Sequence, residues 1–148
     1  MKSDYKERIE AKSDAAGEFV VNVDGHGQIN QRDLYLREKE KGFEIGVKDD
    51  PPGSMPPTKV FFIEFPDKLA PAVYDIKQLK RVLYADYSEW HDYVFIAESG
   101  TVTVKSYQDS PRRASGDFTM VGRLEGSPRP IPGPDVFTIS GNFNLKAI

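Results

Sequence analysis

The chain of 148 residues contains no cysteine, one tryptophan and two histidines. The lack of cysteine excludes a disulfide framework, a thiolate nucleophile and any cysteine-ligated metal. A zinc site built on His26 and His91 would need further ligands that the sequence does not identify. No segment is apolar over the roughly 20 residues that a membrane-spanning helix requires. These absences remove several classes of enzyme and metalloprotein from consideration.

An excess of charge of one sign is also lacking. Lysine and arginine number 20 against 23 acidic residues, for a net charge of -3. Such a balance gives no electrostatic reason to expect nucleic acid as a partner. The N-terminus, Met1–Tyr5, lacks the apolar core of a signal peptide. We therefore expect either a cytoplasmic protein or a chain that begins after a removed export signal.

A short pattern, Ser-Gly-X-Phe-X-(Met/Leu), occurs twice near the C-terminus, at residues 115–120 and 140–145. In both copies the apolar side chains fall on alternate residues, as in a half-buried β-strand. The glycine of each copy suggests a bulge or a close approach between backbones, which a curved sheet needs. The repeat therefore predicts two similar, neighbouring strands.

Alternation or apolar runs predict further strands along the chain. They lie at Phe19–Val23, at Leu34–Leu36 with Phe43–Val47 as a hairpin, at Val60–Phe65, at Val94–Ile96, at Thr101–Val104, and in the final Gly116–Leu124 and Val136–Leu145. Residues 74–84 fit either helix or strand, with strands favoured from Val82, and a short helix over Gln31–Lys41 is an alternative to the hairpin. The predicted fold is all-β, an antiparallel β-sandwich or a barrel-like meander.

The first residues differ from the rest because they mix charges of both signs with little apolar surface. Their best helical anchors are Tyr5 and Ile9, which are four residues apart. We predict a lead-in over residues 1–16, as a short helix or a disordered segment that the fold does not need, and one β-rich domain over residues 17–148.

The order of these pieces resembles that of small bacterial envelope proteins of uncharacterised function, many of them lipoproteins. The matching residues are Phe19 with Val23-Asp24-Gly25, then Val60–Phe65, Gly100–Val104 and the two repeats. The resemblance implies an antiparallel β-sandwich or lipocalin-like barrel in the cell envelope, with no established catalytic residues. The chain departs from the pattern in having His26-Gly27-Gln28 where a tryptophan is usual, and in lacking a lipobox cysteine.

The segment from Tyr84 to Tyr93 carries the only tryptophan, several tyrosines and three carboxylates. Aromatic rings beside carboxylates can bind sugars or a partner surface, and the carboxylates could hold a cation. The alternative is a hairpin loop whose rings pack on their own strands. If the protein has a recognition site, we expect it to consist of Trp90, Tyr87, Tyr93, Asp86 and His91.

These observations favour a non-enzymatic binding module for a protein partner or a small polar ligand, with no catalytic residue, cofactor or metal assigned. One alternative is a toxin-neutralising immunity or inhibitor protein. Another is a small hydrolase that uses His91 with Asp86, Glu89 and Asp92. Four arginines on or beside the last two loops either face solvent or meet an acidic group; these are Arg112, Arg113, Arg123 and Arg129.

Overall fold

The structure is a computed structural model, and it describes residues 13–25, 27–31, 33–49, 59–86, 93–125 and 136–148. These residues form antiparallel strands almost throughout and contain no α-helix. The all-β prediction is therefore confirmed. The predicted N-terminal helix or disordered lead-in falls mainly on residues 1–12, outside the described residues.

Ten strands follow one another along the chain. They are β1 (Ala15–Val23), β2 (Gly27–Gln28), β3 (Asp33–Lys39), β4 (Gly42–Asp49), β5 (Lys59–Phe65), β6 (Ala72–Asp75), β7 (Arg81–Asp86), β8 (Tyr93–Asp109), β9 (Arg112–Glu125) and β10 (Val136–Ala147). The predicted hairpin with its tip near Lys41 is confirmed as β3 and β4, so the helix over Gln31–Lys41 is wrong. Residues 74–84 contain part of β6, a 3-10 turn at Ile76–Gln78 and the start of β7.

The strands belong to one sheet that curls until its ends meet. The order is β10-β9-β8-β7-β5-β4-β3-β1-β2, and β10 also pairs with β1 over nine residue pairs from Ala15↔Ala147 to Val23↔Ile139. Between β1 and β3 the ladder has the single pair Ala15↔Leu34. Beyond this pair, a side chain connects the two segments: the side-chain oxygen of Gln31 accepts a hydrogen bond from the Phe19 backbone amide at 2.6 Å. The barrel-like form of the prediction describes this sheet.

The concave side of the sheet encloses a packed aromatic core. Phe19, Phe61, Phe118 and Phe143 come from four different strands and are all buried. The ring centroids of Phe61 and Phe118 lie 5.3 Å apart, and that of Phe19 lies 5.8 to 5.9 Å from the other three. The rings thus meet across the middle of the curled sheet and hold its walls together.

The two repeats pair with each other in a reciprocal way. β9 and β10 are in register so that Phe118 stands opposite Gly141 and Phe143 stands opposite Gly116. A Cβ at Gly116 would lie 2.7 Å from the tip of the Phe143 ring, and one at Gly141 would lie 3.0 Å from the tip of the Phe118 ring. A Cβ at either position would also collide with a carbonyl oxygen of the neighbouring strand. The expected close approach is confirmed, and each glycine makes room for the other repeat's ring.

The convex side is not uniform. On β3, β5 and β7, with Gly46 of β4 between them, it carries a second buried cluster, called here the outer patch: Tyr35, Val60, Phe62, Leu83 and Ala85. The Phe62 ring is buried in this patch and not in the concave core. Its ring occupies the space that a Cβ at Gly46 would need, and it lies 5.2 Å from the Tyr35 ring.

A row of charged residues crosses the same four strands beside the outer patch. Arg37, Glu44, Glu64 and Arg81 are successive partners in the ladder. Glu44 is fully buried, and its Oε1 accepts a hydrogen bond from Arg37 Nε at 2.8 Å and forms an ion pair with Arg37 Nη2 at 2.7 Å. A buried carboxylate needs such partners because its desolvation is costly. The convex side of these strands is therefore buried, and its charged groups are paired as in a protein interior.

The residues before β1 are tied to β3. The hydroxyl of Ser13 accepts a hydrogen bond from the Leu34 amide at 3.0 Å, and the Asp14 carboxylate accepts one from the Leu36 amide at 2.8 Å. Ala15 is buried and is the first residue of β1. The strand thus begins two residues before the predicted domain start at residue 17.

Candidate functional site

Four connections leave the sheet at one end. Because neighbouring strands are antiparallel, residues 24–32, 50–58, 87–92 and 126–135 all join strands on that side, called here the loop end. At the opposite end, called here the turn end, two-residue turns join β3 to β4 and β8 to β9, and residues 66–80 join β5 to β7. Loops held at both ends by a rigid sheet are common carriers of binding residues. The loop end is therefore the natural place to look for a site.

The predicted recognition residues belong to this end. The backbones of Asp86 and Tyr93 pair directly, as do those of Ala85 and Val94. Trp90, Tyr87 and His91 fall in residues 87–92, outside the described residues. The pairing holds the two ends of this segment side by side on neighbouring strands. The recognition role of the five residues stays a prediction.

A cleft opens at the loop end beside β1, β2 and β10. Its volume is about 530 Å³, and it is open to solvent. The lining residues are Asn22, Val23, Asp24, Gly25, Gly27, Thr138 and Ser140. Volumes in this range are common for small-molecule sites. Most of the lining side chains are polar, which suits a hydroxyl-rich ligand better than an apolar one.

The shape of the cleft follows from a tight turn after β1. Gly25 and Gly27 have φ values of 79° and 88°, a region that side chains other than glycine rarely adopt. The Asp24 amide donates to the Thr138 carbonyl at 2.9 Å, which ties the turn to β10. The side-chain amide of Gln28 donates a hydrogen bond to Asn22 Oδ1 at 2.6 Å across the short β1–β2 ladder. These bonds fix the walls and leave the Asp24 carboxylate exposed.

A charged rim adjoins the cleft. Lys59 Nζ lies 3.9 Å from the position that a Cβ on Gly27 would take. Three residues after Gly27, the side-chain amide of Asn30 donates a hydrogen bond to the buried Asp49 carboxylate at 3.3 Å. Asp49 is the ladder partner of Lys59 between β4 and β5. The rim thus places the Lys59 ammonium group beside Gly27, which lines the cleft with Thr138 and Ser140. Together they offer both donors and acceptors to a polar ligand.

Sequence reasoning identified part of this cleft as a simple turn. Asp24-Gly25 carried a turn signal, and the turn is present. Thr138 and Ser140 were missed because they are more than 110 residues away in the chain. Their proximity depends on the pairing of β1 with β10, which no local sequence pattern predicts.

The arginines of the last loops do not form one group. Arg123 donates to Glu98 at 2.7 Å on neighbouring strands. Arg112 lies at the turn end, 3.6 Å from Glu38 and over the Phe43 ring at 5.7 Å. Burial raises the pKa of the adjacent Tyr107 above its usual value of 10.0, and a hydrogen bond to Asp109 adds to this, while Arg112 opposes it. These contacts account for Arg112 and Arg123 without an external partner, and Arg129 is outside the described residues.

In the described part of the chain, no three histidine or acidic side chains lie close enough together to hold a metal ion. Residues Glu89, His91 and Asp92, which the hydrolase alternative requires, are outside that part. The same described residues include no helix long and apolar enough to cross a membrane.

Comparison of the chain with protein-family models, with curated proteins and with solved structures finds no match.

Proposed function

We propose that the protein is a non-enzymatic binding module that contacts a small polar ligand or a protein partner with its loop end. The observation that carries this proposal is the topology. It brings the 530 Å³ polar cleft and the paired residues Asp86 and Tyr93, between which Trp90 lies in the sequence, to the same end of one sheet.

The packed concave core supports binding outside the sheet. In a barrel with an internal ligand cup, the side chains from opposite walls stay apart. Here the rings of Phe61 on β5 and Phe118 on β9 stack at 5.3 Å. A ligand in that position would have to displace a fully packed aromatic cluster. The loop end requires no such rearrangement.

The residues of the loop end favour a polyhydroxylated ligand. Asp24, Thr138 and Ser140 supply a carboxylate and two hydroxyls, which can accept or donate hydrogen bonds to sugar hydroxyls. Tryptophan and tyrosine in residues 87–92 supply rings of the kind that cover the C–H faces of sugars or anchor a protein partner.

The experiment uses a panel of neutral and acidic oligosaccharides as probes. Trp90 is the only tryptophan, so its emission reports ligands that reach the loop end. For each probe that binds, calorimetry compares the original chain with Trp90→Ala and Thr138→Val. We expect at least one of these changes to weaken binding about tenfold, as removal of a central contact does.

Lys41→Ala, at the exposed turn between β3 and β4, is the matched control and should bind normally. A ligand or partner protein whose affinity is unchanged in both loop-end variants binds elsewhere, and the proposal would then be wrong.

We further propose a location in the cell envelope, with the cytoplasm as the alternative. The support is the resemblance in strand order to bacterial envelope proteins. Fractionation of the source cells with an antibody against the domain tests this, since recovery only with cytoplasmic markers would contradict it.

A further inference from the structure

The outer patch is buried although it lies on the convex side of the sheet. Tyr35, Phe62 and Leu83 stand in one cross-strand row with Gly46, and each is at most 1% exposed. Among the described residues, the patch has no member outside β3, β5 and β7. The convex side of β9 and β10, by contrast, carries exposed side chains such as Thr119 and Asn144. A further layer is therefore needed to explain the burial of the outer patch.

We infer that residues 1–12 of this chain are that layer and cover the outer patch. The point where the described chain begins supports this. Ser13 and Asp14 are hydrogen-bonded to the backbone of Leu34 and Leu36, the two neighbours of Tyr35 on β3. The preceding segment thus starts at one edge of the patch.

The length of the segment matches the width of the patch. Twelve residues in a helix span about 18 Å at 1.5 Å per residue. Four adjacent strands, β3, β4, β5 and β7, span roughly 14 Å between the outermost axes. One short helix can therefore cross the whole patch.

The sequence of the segment fits the surface that it would cover. At helical spacing, Tyr5 and Ile9 share one face, and the residues that flank this face are Lys2, Lys6, Arg8 and Lys12. The acidic residues Asp4, Glu7 and Glu10 fall on the opposite face. The two rings and the leucine of the patch would meet the apolar residues. The buried carboxylates of Glu44 and Glu64 lie beside the patch, where the flanking cations favour them.

The competing occupants are residues 50–58 and 87–92, which leave the sheet at the loop end. They adjoin the row of Val60 and Ala85, one row away from Phe62 and Leu83. The charged row of Glu44 and Glu64 is farther still from that end. The test must therefore separate the N-terminal segment from these loops.

The absence of cysteine allows a clean test by thiol labelling. Leu83→Cys reports the outer patch, and Leu145→Cys, equally buried in the concave core, is the matched control. Val73→Cys, at a site 62% exposed, sets the rate for a free thiol. Each variant is compared in the full chain and in a chain that begins at Ser13.

Removal of residues 1–12 should raise the labelling rate of Leu83→Cys at least about tenfold and leave that of Leu145→Cys unchanged. A synthetic peptide of residues 1–12 added to the shortened chain should restore protection, and the same peptide with Tyr5→Asp and Ile9→Asp should not. Slow labelling of Leu83→Cys in a folded shortened chain would overturn the inference and assign the cover to the loops.

If the shortened chain unfolds, labelling of Leu145→Cys will rise as well. The full-length chain with Tyr5→Asp and Ile9→Asp then decides. Faster labelling of Leu83→Cys alone supports the inference, and unchanged protection at both cysteines contradicts it.

Discussion

Strands β4–β5 and β9–β10 lie in the same sheet but differ in how they meet solvent. β4 and β5 are buried on both faces over almost their whole length, whereas β10 alternates buried and exposed residues from Val136 onward. The first pair carries two aromatic layers, and the second carries one. The difference shows that the sheet has a two-sided region and a one-sided region.

The composition of each region follows from this difference. In β5, Val60-Phe61-Phe62-Ile63 runs apolar without interruption, because consecutive side chains enter different clusters. In β10, apolar residues recur at every second position, because one face of the strand is exposed to solvent. Burial on the second face also explains why Glu44 needs Arg37 as a close partner.

The largest effect should come from the concave core, which both regions share. Phe61→Ala on β5 and Phe118→Ala on β9 should each lower the free energy of unfolding by about 3–5 kcal/mol, because each leaves a cavity in the aromatic cluster. Urea denaturation measures both. A negligible shift of the midpoint for either variant would show that its ring does not hold the walls together.

A somewhat smaller effect should separate the two regions. Phe62→Ala, on the convex side of β5, should cost about 3 kcal/mol, since its ring is buried against Tyr35 and Gly46. Thr119→Ala, on the convex side of β9, should change stability by no more than about 0.5 kcal/mol, because Thr119 is exposed. Similar losses in the two variants would abolish the distinction between the regions.

An even smaller loss of stability should distinguish Gly46 of the two-sided region from Gly141 of the one-sided region. Gly46→Ala and Gly141→Ala should each cost about 1–3 kcal/mol through overpacking. The first new methyl would meet the Phe62 ring, and the second would meet the Val20 carbonyl of the backbone. Adding Phe62→Leu should therefore recover part of the loss for Gly46→Ala. Adding Phe118→Leu should not rescue Gly141→Ala, and a double-mutant cycle in urea measures both.

The sequence predicted the one-sided region better than the two-sided one. The alternation of apolar and polar residues predicted β9, β10 and the middle of β8, and the Ser-Gly-X-Phe repeat predicted two similar strands. The apolar run of Val60–Phe65 predicted a strand, which is present as β5. It could not show that Phe62 and Phe61 enter different clusters, because that depends on Tyr35 and Leu83 of other strands.

The candidate site was predictable only in part, for a related reason. Asp86 and Tyr93 were expected within a loop, but their backbones pair as the last residue of β7 and the first of β8. The cleft depends on the register of β1 against β10, which joins the two ends of the chain. Local patterns carry no information on such a pairing, so Thr138 and Ser140 gave no signal of their own.

The smallest effect should appear at the turn end, where β8, the neighbour of β9, meets β4 through the rings of Tyr107 and Phe43, which lie 5.5 Å apart. Burial raises the pKa of Tyr107 above 10.0 in the folded protein. The folded state therefore keeps its proton at a pH at which the unfolded chain has lost it. This contribution to stability is complete below pH 10.0 and is lost as the pH rises through the higher pKa of the folded state.

Tyr107→Phe removes this titration, so its stability should fall less steeply above pH 10.0 than that of the original chain. Urea denaturation at a series of alkaline pH values measures the two slopes, and Tyr74→Phe is the control for the loss of another half-buried phenol. The two chains differ at this one position, so only the difference between the slopes matters. Equal slopes would mean that Tyr107 is no more protected than a surface tyrosine. The contact between β8 and β4 at the turn end would then be loose, and the concave core alone would hold this part of the wall together.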